Sequence, residues 1–192
     1  MNASNVKAFL KKSKTVHSAY KLVRDSRDVP IKKWLNIGQL SSVFSVLPNT
    51  MLAMPRLFDA YEAIVAINQE GIQGDVVECG VWNGGCVGLM ALANLKKPGP
   101  KRRFHLFDSF EGLPQPSLHD VDVIDNFKRN CPGLDLRGGE ANSSLISIKA
   151  CVGESQASVE RFLVNHLGVN RSDLVFHVGW FQDTIPNAAK TI

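Results

Sequence analysis

In Gly74-Asp-Val-Val-Glu-Cys-Gly-Val-Trp-Asn-Gly-Gly85 a short β-branched run over residues 75–79 meets a turn rich in glycine. Residues 86–95 then form a small and apolar stretch of helical length, stopped by Lys96-Lys97-Pro98. A second run, Arg103-Phe-His-Leu-Phe107, follows and ends at Asp108. Strand, glycine turn, helix, strand and acid predict a doubly wound α/β sheet, because a parallel pair needs a helical crossover. The crossover should be right-handed.

Upstream, Met54, Leu57, Phe58, Tyr61, Ile64, Val65 and Ile67 recur at helical spacing up to Gly71, and predict a core-facing helix capped by Thr50 or Asn49. Residues 31–47 read as a second helical segment between Pro30 and Pro48, and residues 1–28 as a polar helix. Downstream, residues 111–147 are rich in Pro, Gly, Asp, Asn and Ser and predict an extended, lid-like loop. A third short strand is expected over 146–152, a helix over 158–167 ended by Gly168, and a further strand at Leu174-Val-Phe-His-Val178. Gly179-Trp-Phe-Gln-Asp-Thr-Ile-Pro186 leads out of that strand.

The composition excludes several classes. A hydrophobic share of 44% with 21% charged residues and a mean hydropathy of −0.05 describes a globular chain, not a disordered, collagenous or disulfide-framework one. No apolar run reaches membrane-spanning length, and Lys or Ser interrupts every short apolar run near the N-terminus, so the expected compartment is the cytoplasm. Cys79, Cys86, Cys131 and Cys151 contain no C-x-x-C pair and suggest idle thiols. Residues 1–40 hold nine Lys or Arg against Asp25 and Asp28, so the net +4 is concentrated there and the rest of the chain is mildly acidic. That basic segment could lie on an anionic surface or simply be a solvated helix; without interleaved aromatics, nucleic acid is not an expected partner. The expected organisation is a basic helical extension over 1–47 and a ligand-binding domain over 48–192.

In an open α/β sheet ligands sit beyond the carboxyl ends of the strands. Those ends deliver Glu78 and Gly80, then Asp108, then Gly179 and Trp180. Glycine in the first turn lets backbone approach a ligand, and an acid ending the second strand can accept both hydroxyls of a ribose. Together they predict an adenosine-containing ligand. The turn reads Gly80-x-x-x-Gly84-Gly85, not the dinucleotide fingerprint G-x-G-x-x-G, and Glu78 would repel a pyrophosphate. A ligand carrying ammonium and sulfonium, S-adenosylmethionine, fits this turn better than NAD.

Four stretches together carry a family resemblance: Thr50-Met51 with the following helix, residues 74–85, Phe107-Asp-Ser-Phe-Glu-Gly-Leu-Pro114, and the segment from Gly179 to Pro186. Over residues 48–192 the chain resembles the S-adenosylmethionine-dependent macrocin O-methyltransferases. The resemblance implies a class I methyltransferase (Rossmann-like) parallel sheet with N-terminal helices, incomplete at the C-terminus. It implies O-methylation of a small-molecule hydroxyl, on a sugar or natural product. It also implies that Thr50 and Met51 contact the methionine end of the cofactor, that Glu78, Cys79, Gly80, Val81 and Trp82 wrap it, that Asp108 with Ser109 and Phe110 hold the ribose side, and that Gly179 and Trp180 border the adenine. Asn83 stands where the family usually has Arg, which removes a charged contact.

Methyl transfer requires in-line positioning and weakening of the acceptor's proton. His119, Asp120 and Asp122 are the candidates for a base, against a reading as solvated loop polarity. His105 and His177 read as core or strand-face histidines, and Asp183 as a helix-start residue. Family members continue into a further set of strands and helices, with acids that bind a divalent metal, Mg2+ in the complete protein. With those ligands absent, no metal site and no metal-dependent turnover are expected of these residues alone. A non-catalytic remnant that binds cofactor weakly or only pairs with another chain through its open sheet edge is the competing expectation, an NAD enzyme a further one, and a homo-oligomer is left open.

Overall fold

The structure, a computed structural model, describes residues 28–97, 99–114, 145–146, 153–190 and 192. The helix expected over 1–28, most of the loop over 111–147, and with it His119, Asp120 and Asp122, lie outside these residues.

Residues 31–47 form two helices, not one: α1 (Ile31–Trp34) and α2 (Ile37–Val46). Asn36 makes the break, because its side chain accepts the Gln39 N–H at 3.1 Å and caps α2. A 3-10 turn at Leu47–Asn49 leads to α3 (Met54–Gln69). Ala53 occupies the N-cap of α3, with proline in the first turn, in place of the expected Thr50 or Asn49. Thr50 instead accepts the Leu52 N–H at 3.1 Å in a local turn.

The unit read from residues 74–108 is present as β1 (Val76–Cys79), α4 (Gly85–Lys96) and β2 (Phe104–Asp108). After Asp108 come β3 (Leu113–Pro114) and β4 (Leu145–Ile146), then α5 (Gln156–Arg161), which widens into a π-turn over Phe162–His166. β5 (Leu174–Val178) and α6 (Phe181–Ala188) follow. β1, β2 and β5 form a parallel sheet in the order β1-β2-β5, with Cys79 beside Phe107 and Asp108 beside Val178. Three parallel strands are described where four are expected. Of the strand expected over 146–152, residues 147–152 lie outside the described residues, and Ile146 pairs antiparallel with Leu113.

Alternation sorts β2 into two faces. Phe104 and Leu106 pack with Val87 and Ala91 of α4, Val159, Leu163 and Leu174. The other side of α4 buries Leu89 and Ala93 among Met54, Leu57, Phe58 and Ile64 of α3 and Val43 and Val46 of α2. The apolar stripe read in α3 is thus its buried face. His105 and Phe107 occupy the opposite face of the sheet, and α6 packs against β2 and β5. No described helix is long and apolar enough to cross a membrane.

Candidate functional site

The turn after β1 is built by residues with different tasks. Gly80 has φ +87°, and a Cβ there would meet nothing within 4 Å among the described residues, so its glycine serves backbone conformation and leaves the space above it open to them. Its N–H donates to the Phe107 carbonyl at 2.8 Å and carries the ladder one residue beyond β1. Gly85 serves packing: a Cβ would lie 2.4 Å from the Asn49 carbonyl oxygen and 2.7 Å from Thr50 Cβ. This close approach sets Thr50 against the start of α4.

Asp108, at the end of β2, turns its carboxylate back onto this turn. Oδ2 accepts the backbone N–H groups of Val81 at 2.7 Å and Trp82 at 3.0 Å, and Oδ1 accepts that of Phe110 at 2.9 Å. Its own carbonyl accepts the Gly179 N–H at 3.0 Å. Trp82 sits at φ +51°, a left-handed conformation that costs a side-chain-bearing residue about 1–2 kcal/mol. Its indole Nε1 is buried with no hydrogen-bond partner among the described residues, a state that costs about 1–3 kcal/mol.

Glu78 lies behind the turn. Oε2 accepts the Val87 N–H at 3.1 Å, and the Cys86 thiol donates to the same carboxyl. Burial pushes Glu78 up to about 7, with the charge of Asp108 adding to the rise and the bonds from Cys86 and Val87 opposing it. Burial, then the charge and hydrogen bonding of Glu78, push the Cys86 thiol up to about 12, so it stays protonated.

The structure brings Glu78, Gly80, Val81, Trp82, Asp108, Phe110 and Gly179 together at the carboxyl ends of β1, β2 and β5. Other expected residues are placed differently. Cys79 is exposed, in register with Phe107 and so on its face of the sheet. The Ser109 hydroxyl donates to the Gly112 carbonyl at 3.2 Å and accepts the Glu111 N–H, which closes a local turn. Phe110, at φ +55°, packs its ring against Phe176. Trp180 is the N-cap residue of α6, and its carbonyl accepts from the Thr184 hydroxyl and the Asp183 and Thr184 N–H groups. Asp183 is in the first turn of α6, as a helix-start residue. Met51 is 54% exposed, and Thr50 is buried.

Two contacts at the site escape sequence reasoning. Asn83 is buried, and its Oδ1 accepts the Glu154 N–H at 2.7 Å. It ties the turn to a distant backbone segment. The Cys86 thiol on Glu78 is the other; an acid and a thiol eight positions apart carry no signal of contact until β1 and α4 are folded against one another. On the other face of the sheet, Asp75 Oδ2, His105 Nε2, His105 Nδ1 and His177 Nε2 form a chain of contacts at 3.1 and 2.9 Å. Arg103 donates to Asp75 from outside. Both histidines therefore have the strand-face role read from the sequence. Among the described residues no three His, Cys, Asp or Glu side chains converge as a metal site.

The sequence model of the family described as Macrocin-O-methyltransferase (TylF) matches residues 39–191. The chain is 28% identical over 169 residues to 8-demethyl-8-(2,3-dimethoxy-alpha-L-rhamnosyl)-tetracenomycin-C 4'-O-methyltransferase of Streptomyces olivaceus, a match covering 84% of this chain and 58% of that protein. It is 28% identical over 148 residues to Mycinamicin III 3''-O-methyltransferase of Micromonospora griseorubida, covering 76% and 51%. The chain spans about half the length of the curated relatives it matches. The solved structure of the O-methyltransferase NovP superposes with a TM-score of 0.55 at 24% identity, over 73% of this chain and 51% of that one, a likeness of fold.

Proposed function

The chain belongs to the macrocin-O-methyltransferase family, and from that premise we propose that it binds S-adenosylmethionine over the carboxyl ends of β1, β2 and β5. The complete protein then methylates a hydroxyl group of a small molecule. The observation that carries this reading is the convergence of two carboxyls, Glu78 and Asp108, on a turn that has open space over Gly80 and no basic side chain from residue 78 to 85. A pyrophosphate would meet repulsion there, whereas a ligand with cationic groups and a ribose meets acceptors.

The residues present fit such a ligand. When bound, it supplies a methyl group on a sulfonium, a good leaving group. Asp108 accepts ribose hydroxyls, Glu78 balances positive charge, and the unpartnered Trp82 indole N–H is a donor in waiting. Thr50 and Met51 border the methionine end, and Trp180 the purine. Removal of the acceptor's proton falls to a base outside the described residues, with His119, Asp120 and Asp122 as the candidates. The described residues do not fit a magnesium centre, which prefers several oxygen ligands around one point; no step is assigned to a metal.

The named relatives act on a rhamnosyl-bearing tetracenomycin and on a mycinamicin. A sugar hydroxyl on a natural product is accordingly the acceptor class proposed for the complete protein. Calorimetry on the chain with S-adenosylhomocysteine and with NAD tests the cofactor. S-adenosylhomocysteine should bind and Asp108→Ala should weaken it by roughly 1.5–3 kcal/mol, the worth of charge-assisted hydrogen bonds. Tighter binding of NAD would overturn the reading.

A further inference from the structure

Asp108 is heavily engaged before any ligand arrives. Of the roughly four lone-pair directions of a carboxylate, the N–H groups of Val81, Trp82 and Phe110 take one each. A vicinal diol donates two hydrogen bonds, so it cannot be held without displacing one of these amides. The three are not equally held. Val81 makes the shortest bond, 2.7 Å, and its side chain is 3% exposed within the core beside Val87 and Leu106. Trp82 makes a longer bond, 3.0 Å, from a left-handed backbone and with a buried indole N–H that has no partner. Release of Trp82 therefore relieves two unfavourable features, whereas release of Phe110, bonded at 2.9 Å from φ +55°, relieves one and release of Val81 neither.

We propose that Asp108 is a positioning residue for Trp82 as well as a ribose acceptor: in the ligand-free chain it clasps the Val81 and Trp82 amides, and a ligand's ribose diol opens the clasp by displacing Trp82. The inference rests on the cofactor reading above only for its second half. Once released, Trp82 leaves φ +51° and its indole N–H turns toward an acceptor. The motion is confined, because the adjacent Asn83 stays bonded to the Glu154 backbone and Gly153 stands against the Trp82 carbonyl, where a Cβ would come within 2.9 Å. Cofactor binding and reshaping of the turn are then a single event that reads the 2' and 3' hydroxyls.

Amide hydrogen exchange resolved by NMR tests this on the intact chain, with adenosine and 2',3'-dideoxyadenosine as probes. In the free protein the Val81 and Trp82 amides should both be protected. Saturating adenosine should speed exchange at Trp82 by at least about tenfold, the equivalent of roughly 1.4 kcal/mol of protection, and leave Val81 slow. The dideoxy compound should leave both slow. Adenosine binding with Trp82 still protected overturns the proposal while leaving the cofactor reading intact. No response to adenosine anywhere overturns that reading and the opening step together, and the clasp is then decided by Asp108→Asn without ligand. A carboxylate kept only for ribose makes that variant neutral or more stable, which refutes the clasp. A clasp makes it melt lower, by on the order of 4 °C or more, with loss of protection at Val81 and Trp82. If the variant does not fold, the wild-type protection pattern alone decides: fast exchange at both amides refutes the clasp and slow exchange supports it.

Discussion

Asn83 Oδ1 accepts the backbone N–H of Glu154 at 2.7 Å, a bond that joins the turn after β1 to a segment 71 residues away. The bond needs an acceptor at this position, and a guanidinium, which offers only donors, cannot accept an amide N–H. Asn83→Ala and Asn83→Arg should both destabilise by about 1–2 kcal/mol, read from the urea midpoint. An Asn83→Arg variant as stable as the parent would refute the role.

Glu78 makes stability fall as pH rises. Its folded value of about 7 lies above its ordinary 4.5, so between those values the folded chain holds a proton that the unfolded chain has lost. Stabilisation present below about pH 4.5 is lost progressively by about pH 7, on the order of 3 kcal/mol in all. Glu78→Gln should remove this slope and be more stable than the parent above pH 7. Chemical denaturation of both proteins across that range is the measurement, and parallel pH profiles would count against the assignment. A cationic ligand should also expel the proton, seen as a dependence of binding heat on the ionisation enthalpy of the buffer.

His177 has the opposite sign. Burial and the neighbouring His105 lower His177 below its ordinary 6.5. The unfolded chain therefore takes up this proton first, and the corresponding stability is lost as pH falls through about 6.5 toward the folded value. Phe107 stacks on the ring at 4.1 Å, and Asp75 and Arg103 reach it only through His105. His177→Phe preserves a stackable ring without the titration, so its stability should vary less with pH below 6.5. Thermal melts over that interval test this.

Glycine packing can be checked with a matched pair. Gly85→Ala would drive a Cβ to 2.4 Å from the Asn49 carbonyl oxygen and should cost about 1–3 kcal/mol, with displacement of Thr50 and weaker cofactor binding. Gly38 lies within α2, and its nearest neighbour to a new Cβ is Asn36 Oδ1 at 3.8 Å. Gly38→Ala should be neutral or more stable by up to about 1 kcal/mol. Equal melting temperatures for the two variants would contradict the packing argument.

Arg102 is a buried cation held by neutral oxygens among the described residues: Nε donates to Asn68 Oδ1 at 2.9 Å, Nη1 to the Gly74 carbonyl at 2.7 Å, and Nη2 to the Ile72 carbonyl at 2.5 Å. It fastens the chain beyond α3 to the entry of β2. Arg102→Lys keeps the charge but not the planar fork, and should lose roughly 2–3 kcal/mol. Guanidinium melts provide the readout, and full stability of the lysine variant would show that charge alone suffices.

Local order was legible in the sequence. The β-branched run of β1, the apolar run of β2 that ends at Asp108, the glycines between 80 and 85, and the apolar period from Met54 to Ile67 specify β1, β2, α4 and α3, because backbone preference and one-sided burial are properties of neighbouring residues. The positions of Glu78 and Asp108 at strand ends follow from the same pattern, and with them the expectation of a ligand above the sheet. The partners of these side chains did not follow. Asp108 reaches Val81 and Trp82 across 27 and 26 residues, Asn83 reaches Glu154, and His105 reaches His177 across 72. Such contacts depend on which strands are neighbours and in what register, and a one-residue shift of β2 would turn Asp108 to the other face. The antiparallel pairing of Leu113 with Ile146 has the same origin. Hydrophobic period says which side of an element is buried; only the packed chain decides which polar atoms meet there.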